Sequence, residues 1–242
     1  MSSYLAIATV TATLSDMLQR AAQAAIPGAL VTNKRPEKLG SEIQDAAAIN
    51  LYLYQAVQSP GWVNFDLPSR TANGQLVRWP PLRNAAGEVV QPPDVLPVHV
   101  ALDLYYLLTF HGSEISLEPQ RLLGSTVIAL HERPILLPPD IDAAIASKAF
   151  LAGSDLAQQV ERVKLDQLNL SLEELSKLWS IFLQIPYVLS VVYRASVVLI
   201  ESSLPAAPTG IVRKVLVSPV SSQQPDTTMV DLQVEYPDHG PA

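Results

Sequence analysis

The sequence predicts an α+β fold: a mostly antiparallel β-sheet flanked by helices on one face, with a projecting proline-rich arm and a C-terminal extension. Three stretches carry that reading. Val98 to Phe110 reads as a long strand, because Val98, Val100, Leu102, Leu104, Tyr106, Leu108 and Phe110 are all apolar while the intervening positions include His99, Asp103 and Thr109. Gly112 ends it, and a helix follows from about Pro119 to His131, so that a strand feeds directly into a helix able to fold back over it. Tyr187 to Ile200 repeats the strand pattern. Its odd positions are all apolar, while Ser190, Arg194 and Ser196 fall on the other side, as expected of a sheet with one face against helices and one half exposed.

The remaining elements follow in chain order. Ile7, Val10, Leu14, Met17 and Ala21 recur at steps of three and four, which gives a first helix with a narrow apolar seam, ended by Pro27-Gly28. Leu30-Val31-Thr32 reads as a short strand. Ile49, Leu51 and Leu53 alternate with Asn50, Tyr52 and Tyr54, a second one. In the 119–131 helix, Leu123, Val127 and Leu130 share a face, and Pro134 stops it. Pro138-Pro139 opens a short helical stretch to Phe150, and Val160 to Leu170 reads as a strand around Val163 and Leu165. Ser171-Leu172-Glu173-Glu174 has the form of a capping box, with Leu170 and Leu175 at the staple positions. Leu175, Leu178, Trp179 and Phe182 then line one face of that helix, and Pro186 closes it.

Two regions differ in composition. Residues 59–97 hold seven of the twenty prolines, together with Trp62, Phe65, Trp79 and the arginines Arg70, Arg78 and Arg83. Asn73-Gly74 and Ala86-Gly87 are turn signals. Aromatics and arginines are what protein interfaces enrich, so this excursion reads as an ordered arm whose Trp62, Phe65, Arg70, Arg78, Trp79 and Arg83 meet a neighbouring subunit. From about residue 203 to 242 prolines are scattered through a tail with two β-like runs, Ile211 to Val217 and Thr228 to Tyr236, suited to a hairpin. The organisation is therefore one domain over residues 1–202, with the arm at 59–97 inside it, and an extension at 203–242.

Composition narrows the function. The 242 residues are 48% hydrophobic and only 16% charged, against a usual quarter or so, so apolar surface has to be hidden, by self-association among other ways. A net charge of −7 argues against nucleic acid or an anionic membrane as partner. Cysteine is absent, which removes disulfides and thiolate metal sites. No targeting segment is visible, and the most apolar segments, 98–110 and 187–200, carry Asp103 and Arg194 and are too short to span a bilayer.

Nothing in the sequence assembles a reaction centre. There is no G-x-G-x-x-G, P-loop, G-x-S-x-G or H-E-x-x-H. His99, His111, His131 and His239 never stand at helical spacing, although His111 and His131 border the central unit and could meet in space. Asp140, Asp142 and Asp155 suit a solvated helix start better than a catalytic pair. Trp179 reads as core. No catalytic residue, cofactor or metal ligand is expected.

Certain stretches carry a resemblance. Pro97 through Leu107-Leu108-Thr109, then Leu122-Leu123-Gly124, then Leu130-His131-Glu132-Arg133-Pro134-Ile135-Leu136, then 172–179 and Ser190-Val191-Val192-Tyr193 follow one another as in one group of proteins. With the opening helix and the 49–54 strand, their order and spacing resemble the N-terminal domain of the tail-terminator (cap) proteins of phage-tail-like contractile injection systems. The likeness covers roughly Ser2 to Ser202. It implies a non-enzymatic homohexameric ring at the distal end of the particle, which contacts inner-tube and sheath proteins and ends their polymerisation. With no targeting segment and a net charge of −7, assembly in the cytoplasm is expected, without nucleic acid or direct membrane insertion, as part of a particle that is either membrane-attached or released. The arm would supply the heterologous contact that a cyclic ring needs, and an exposed strand edge would accept sheath strands. Two other classes stay open: a baseplate- or sheath-associated adaptor of the same particle, and a ligand-binding or enzymatic α+β domain whose site forms only in the fold.

Overall fold

The computed structural model describes residues 4–36, 46–62, 69–70, 76–77, 97–159, 161–182, 185–205, 215–217 and 232–234. Its centre is a five-stranded sheet in the order β1-β2-β5-β7-β6. The strands are β1 (Leu30–Thr32), β2 (Ala48–Gln58), β5 (Pro97–His111), β6 (Lys164–Leu168) and β7 (Ser190–Pro205). β1 runs parallel to β2, and every other pair in this sheet is antiparallel. β3 (Ser69–Arg70) pairs with β4 (Leu76–Val77), and β8 (Val215–Val217) with β9 (Leu232–Val234), each as a two-stranded hairpin. Most of the arm, and most of the tail in which a hairpin was expected, lie outside the described residues.

Three helices cover one face. They are α1 (Ala6–Ala25), α2 (Glu118–Glu132) and α3 (Pro138–Ser147). Against them β5 turns Leu104, Tyr106, Leu108 and Phe110, and β2 turns Ile49 and Leu51, all essentially without solvent contact. Burying side chains of this size is worth about 1.5–3 kcal/mol each, so the layer is the main source of stability. The seam of α1 centres on Val10, Leu14 and Leu18 rather than on Ile7 and Ala21, and α2 buries Leu122, Thr126 and Leu130 rather than Leu123 and Val127. Each stripe is rotated by about one position from its expected place. Two threonines of α1 are paired across this layer, Thr11 Oγ1 lying 2.9 Å from the Tyr106 hydroxyl and Thr9 Oγ1 2.7 Å from Ser154 Oγ, whereas the buried Thr126 Oγ1 of α2 has no partner.

The expectation of helices on one face holds for these three only. The fourth helix, α4 (Leu172–Ser180), packs on the opposite face, where Leu178, Trp179 and Phe182 meet Leu107 and Val192. This also explains why Leu107, on the alternate side of β5, has no exposure. The capping box of α4 is complete, Glu174 N–H donating to Ser171 Oγ at 3.2 Å and Ser171 N–H to Glu174 Oε2 at 2.8 Å.

The strict alternation read for Tyr187 to Ile200 breaks. β7 begins at Ser190, and its register against β5 shifts between Ala195 and Val198. Beyond the shift Val198, not Val197, joins the main core. The irregular backbone is held by Gln159, which donates to Val197 O at 2.8 Å and accepts from Leu199 N–H at 3.0 Å. A buried amide thus takes the hydrogen bonds that the interrupted ladder leaves over.

Candidate assembly surfaces

Two excursions of the chain leave the sheet at one end. β2 stops at Gln58, Ser59 N–H donates to Ala101 O at 2.9 Å, and the turn Pro60–Trp62 follows, with Trp62 N–H on Ser59 O at 3.0 Å. The chain re-enters at Pro97, whose register partner is Pro205, the last residue of β7. The end of the arm and the start of the tail therefore lie side by side. Of the six arm residues expected at an interface, Trp62 closes that turn with a half-buried side chain, and Arg70 lies in β3 opposite Leu76. Phe65, Arg78, Trp79 and Arg83 lie outside the described residues.

A second surface was not anticipated. Beyond α4 the same sheet face carries Tyr54, Tyr105, Asp103, Arg194 and Asp166. The two tyrosine rings lie 6.2 Å apart, tilted by 58°. Arg194 stands opposite Tyr105 and donates to Asp166 Oδ2 at 3.0 Å, across to the edge strand. Asp103 is only 4% exposed, and its Oδ1 has no hydrogen bond; Arg194 Nε is likewise buried and unbonded. The hydrogen bond that Arg194 donates to Asp166 raises its guanidinium pKa, burial opposes the rise, and the charges of Asp166 and Asp103 add to it. Burial, with Tyr105 beside it, raises the phenol of Tyr54. The sequence did hold a signal here, a lone carboxylate inside an apolar strand, but alternation had marked that side as half-solvated.

The sheet edges differ. The outer N–H of Val31 on β1 is taken by Gln19 Oε1 at 2.8 Å, so α1 caps that edge. On β6 only the first half is covered, Leu165 N–H reaching Pro134 O at 2.7 Å and Leu136 N–H reaching Val163 O at 2.9 Å. Ladder alternation turns the backbone groups of Gln167 to the same outer side.

The other sequence candidates disperse. His111 packs against Thr109 Oγ1 at 2.9 Å, where burial lowers its pKa, and His131 is exposed on α2. Asp140 joins Arg20 at 2.8 Å and Arg133 at 3.3 Å, beside a cavity of about 300 Å³ lined by Met17, Arg20, Ala21, Ala129, Glu132 and Arg133. Trp179 is core, its Nε1–H on Ser190 Oγ at 3.2 Å. Among the described residues no group of three or more His, Cys, Asp or Glu is placed to hold a metal ion, and no helix is long and apolar enough to cross a membrane.

Comparison with known proteins agrees with this architecture of structural motifs. Residues 9–214 match the family described as the Pvc16 N-terminal domain. The chain belongs to that family. The matched span of the Pvc16 N-terminal domain takes in the whole five-stranded sheet and all four described helices except the first residues of α1, and it ends before β8. No curated protein matches the chain. Among solved structures, the chain is similar to the PVC sheath/tube terminator of an extracellular contractile injection system in its extended state, at 16% identity and a TM-score of 0.43, covering 86% of this chain and 65% of that one. It is also similar to the cap of the anti-feeding prophage, a tube-terminating cap, at 16% identity and a TM-score of 0.47, covering 88% of this chain and 59% of that one. The chain thus spans less than two thirds of the length of either solved chain.

Proposed function

We propose that this chain is a terminator subunit of a contractile injection system: a non-enzymatic ring that occupies the distal end of the particle and ends polymerisation of its inner tube and sheath. The observation that carries the proposal is the Pvc16 N-terminal domain match over residues 9–214, joined to the tail-terminator resemblance of the sequence. Assembly takes place in the cytoplasm. Subunits meet head to tail, with the arm at 59–97 reaching the next copy. The half-open edge of β6 at Gln167 is where a sheath strand would add, since α1 closes the β1 edge.

The physical role follows from symmetry. Each layer of tube or sheath presents the surface that adds the next, so growth continues until a ring with no copy of that surface covers the end. Deleting the gene in a strain that makes the particle tests this. Particles without the chain are expected to vary widely in length or to fall apart, and returning the chain should restore a single length. Normal, uniform length in the deletion strain would overturn the terminator role.

A further inference from the structure

The cavity between α1 and α2 has walls of two kinds. Its volume of about 300 Å³ falls at the lower end of the range that small-molecule sites occupy. Met17 and Ala21 of α1 and Ala129 of α2 supply apolar surface, and Met17 is buried. The charged wall comes from Arg20 on α1 and from Glu132 and Arg133 at the C-terminal end of α2. Helix pairing brings these groups together. Arg121, early in α2, donates to Ala25 O at the end of α1 at 2.9 Å, and Ser125 Oγ donates to Ala21 O at 2.6 Å, so the last turn of α2 falls beside Met17 and Arg20.

The charges around this cavity are only partly spent. Arg20 and Arg133 share one carboxylate, that of Asp140 in α3, at 2.8 Å and 3.3 Å. A guanidinium carries more N–H donors than these contacts use, and among the described residues Asp140 is the sole side chain that either arginine bonds. Glu132 is exposed, and among the described residues it makes neither hydrogen bond nor ion pair. The C-terminal end of α2 adds partial negative charge on the side of Glu132. One small cavity thus offers free cationic donors, a free carboxylate and an apolar wall.

We infer that this cavity is a binding site for a small zwitterion, a free aliphatic α-amino acid. Its carboxylate takes the unspent donors of Arg20 and Arg133, its ammonium group meets Glu132, and its side chain lies against Met17, Ala21 and Ala129. A simple anion would meet Glu132 as a like charge, and a simple cation would meet two guanidiniums, so only a ligand with both charges matches the whole lining. A polypeptide terminus carries one of these charges and not the other, which favours the free amino acid over the end of a partner chain. The site is independent of the terminator role, since it lies in the helix layer and uses neither arm, tail nor strand edge.

Ligand-observed NMR titration of the full-length chain tests it, with L-leucine, isocaproate (leucine without its ammonium group) and isoamylamine (leucine without its carboxylate) as probes. Leucine should bind saturably and raise the melting temperature, and each analogue should bind roughly tenfold more weakly. Glu132→Gln should weaken leucine by a similar factor and leave isocaproate no weaker, a pattern that a merely structural role for Glu132 would not give. Ala129→Leu fills the apolar wall without touching a charge and should abolish leucine binding. Thermal melting checks that each variant folds, and Glu132→Gln, at an exposed side chain, carries the test if Ala129→Leu does not. Equal affinity for leucine and either analogue, or unchanged leucine binding by Glu132→Gln, overturns the zwitterion assignment. A wild-type chain that does not bind leucine overturns the site.

Discussion

The two faces of the central sheet are built to different standards. On one, three helices and the inward residues of β2 and β5 form a continuous layer in which Leu104, Tyr106 and Phe110 reach no solvent. Burial there pushes the Tyr106 hydroxyl far above the ordinary phenol range, against the opposing hydrogen bond from Thr11. On the other face one helix of nine residues covers a smaller cluster, and beyond it lie half-buried tyrosines, an ion pair and an unsatisfied carboxylate. The difference teaches where this protein keeps its stability. A surface sealed within the chain has nothing left to offer a neighbour, whereas a surface left incomplete does.

Three measurements would sharpen or break that contrast, taken from the largest expected effect. Phe110→Ala opens a cavity in the sealed layer and should cost roughly 3–5 kcal/mol, while Trp179→Ala, on the shorter helix and 8% exposed, should cost about 3 kcal/mol. Denaturant unfolding of both variants decides it, and a larger loss at Trp179 would reverse the ranking of the faces. Next comes Ser171→Ala, which removes the side chain that accepts from Glu174 N–H and should cost about 0.5–2 kcal/mol. A loss as large as that of Trp179→Ala would mean that α4 depends on its cap rather than its packing.

The smallest effect concerns pH. Hydrogen bonds from the backbone and side chain of Ser171 lower the pKa of Glu174 below its ordinary value of 4.5, with burial opposing and Lys177 assisting. A depressed carboxylate stabilises the fold above its unfolded pKa, and that contribution disappears as the pH falls through its folded pKa. The difference in melting temperature between the wild type and Glu174→Gln should therefore be steady from neutral pH down to about 4.5 and shrink below it. A difference that grew on acidification would contradict the cap geometry.

Several features were legible before any coordinates because they are local. The capping box of α4 needs only four consecutive residues, and the long strand of β5 needs only period two. The arm was legible as composition, through its prolines, aromatics and arginines. Most of the arm lies outside the described residues. The surface around Asp103 was missed for a physical reason. Alternation assigns a residue to a side of a strand, but whether that side is wet depends on what packs there, which a local pattern does not report.

By itself the sequence determined the α+β class, the positions of all five central strands and four helices, and the family resemblance, because hydrophobic period, caps and prolines act over a few residues. Only the tertiary structure decided that α4 lies on the opposite face, that β1 joins in parallel, and that Val198 replaces Val197 in the core. The physical reason is the same in each case. An apolar stripe states that a surface will be buried, but which surface meets it is settled by the competition among all segments of the folded chain.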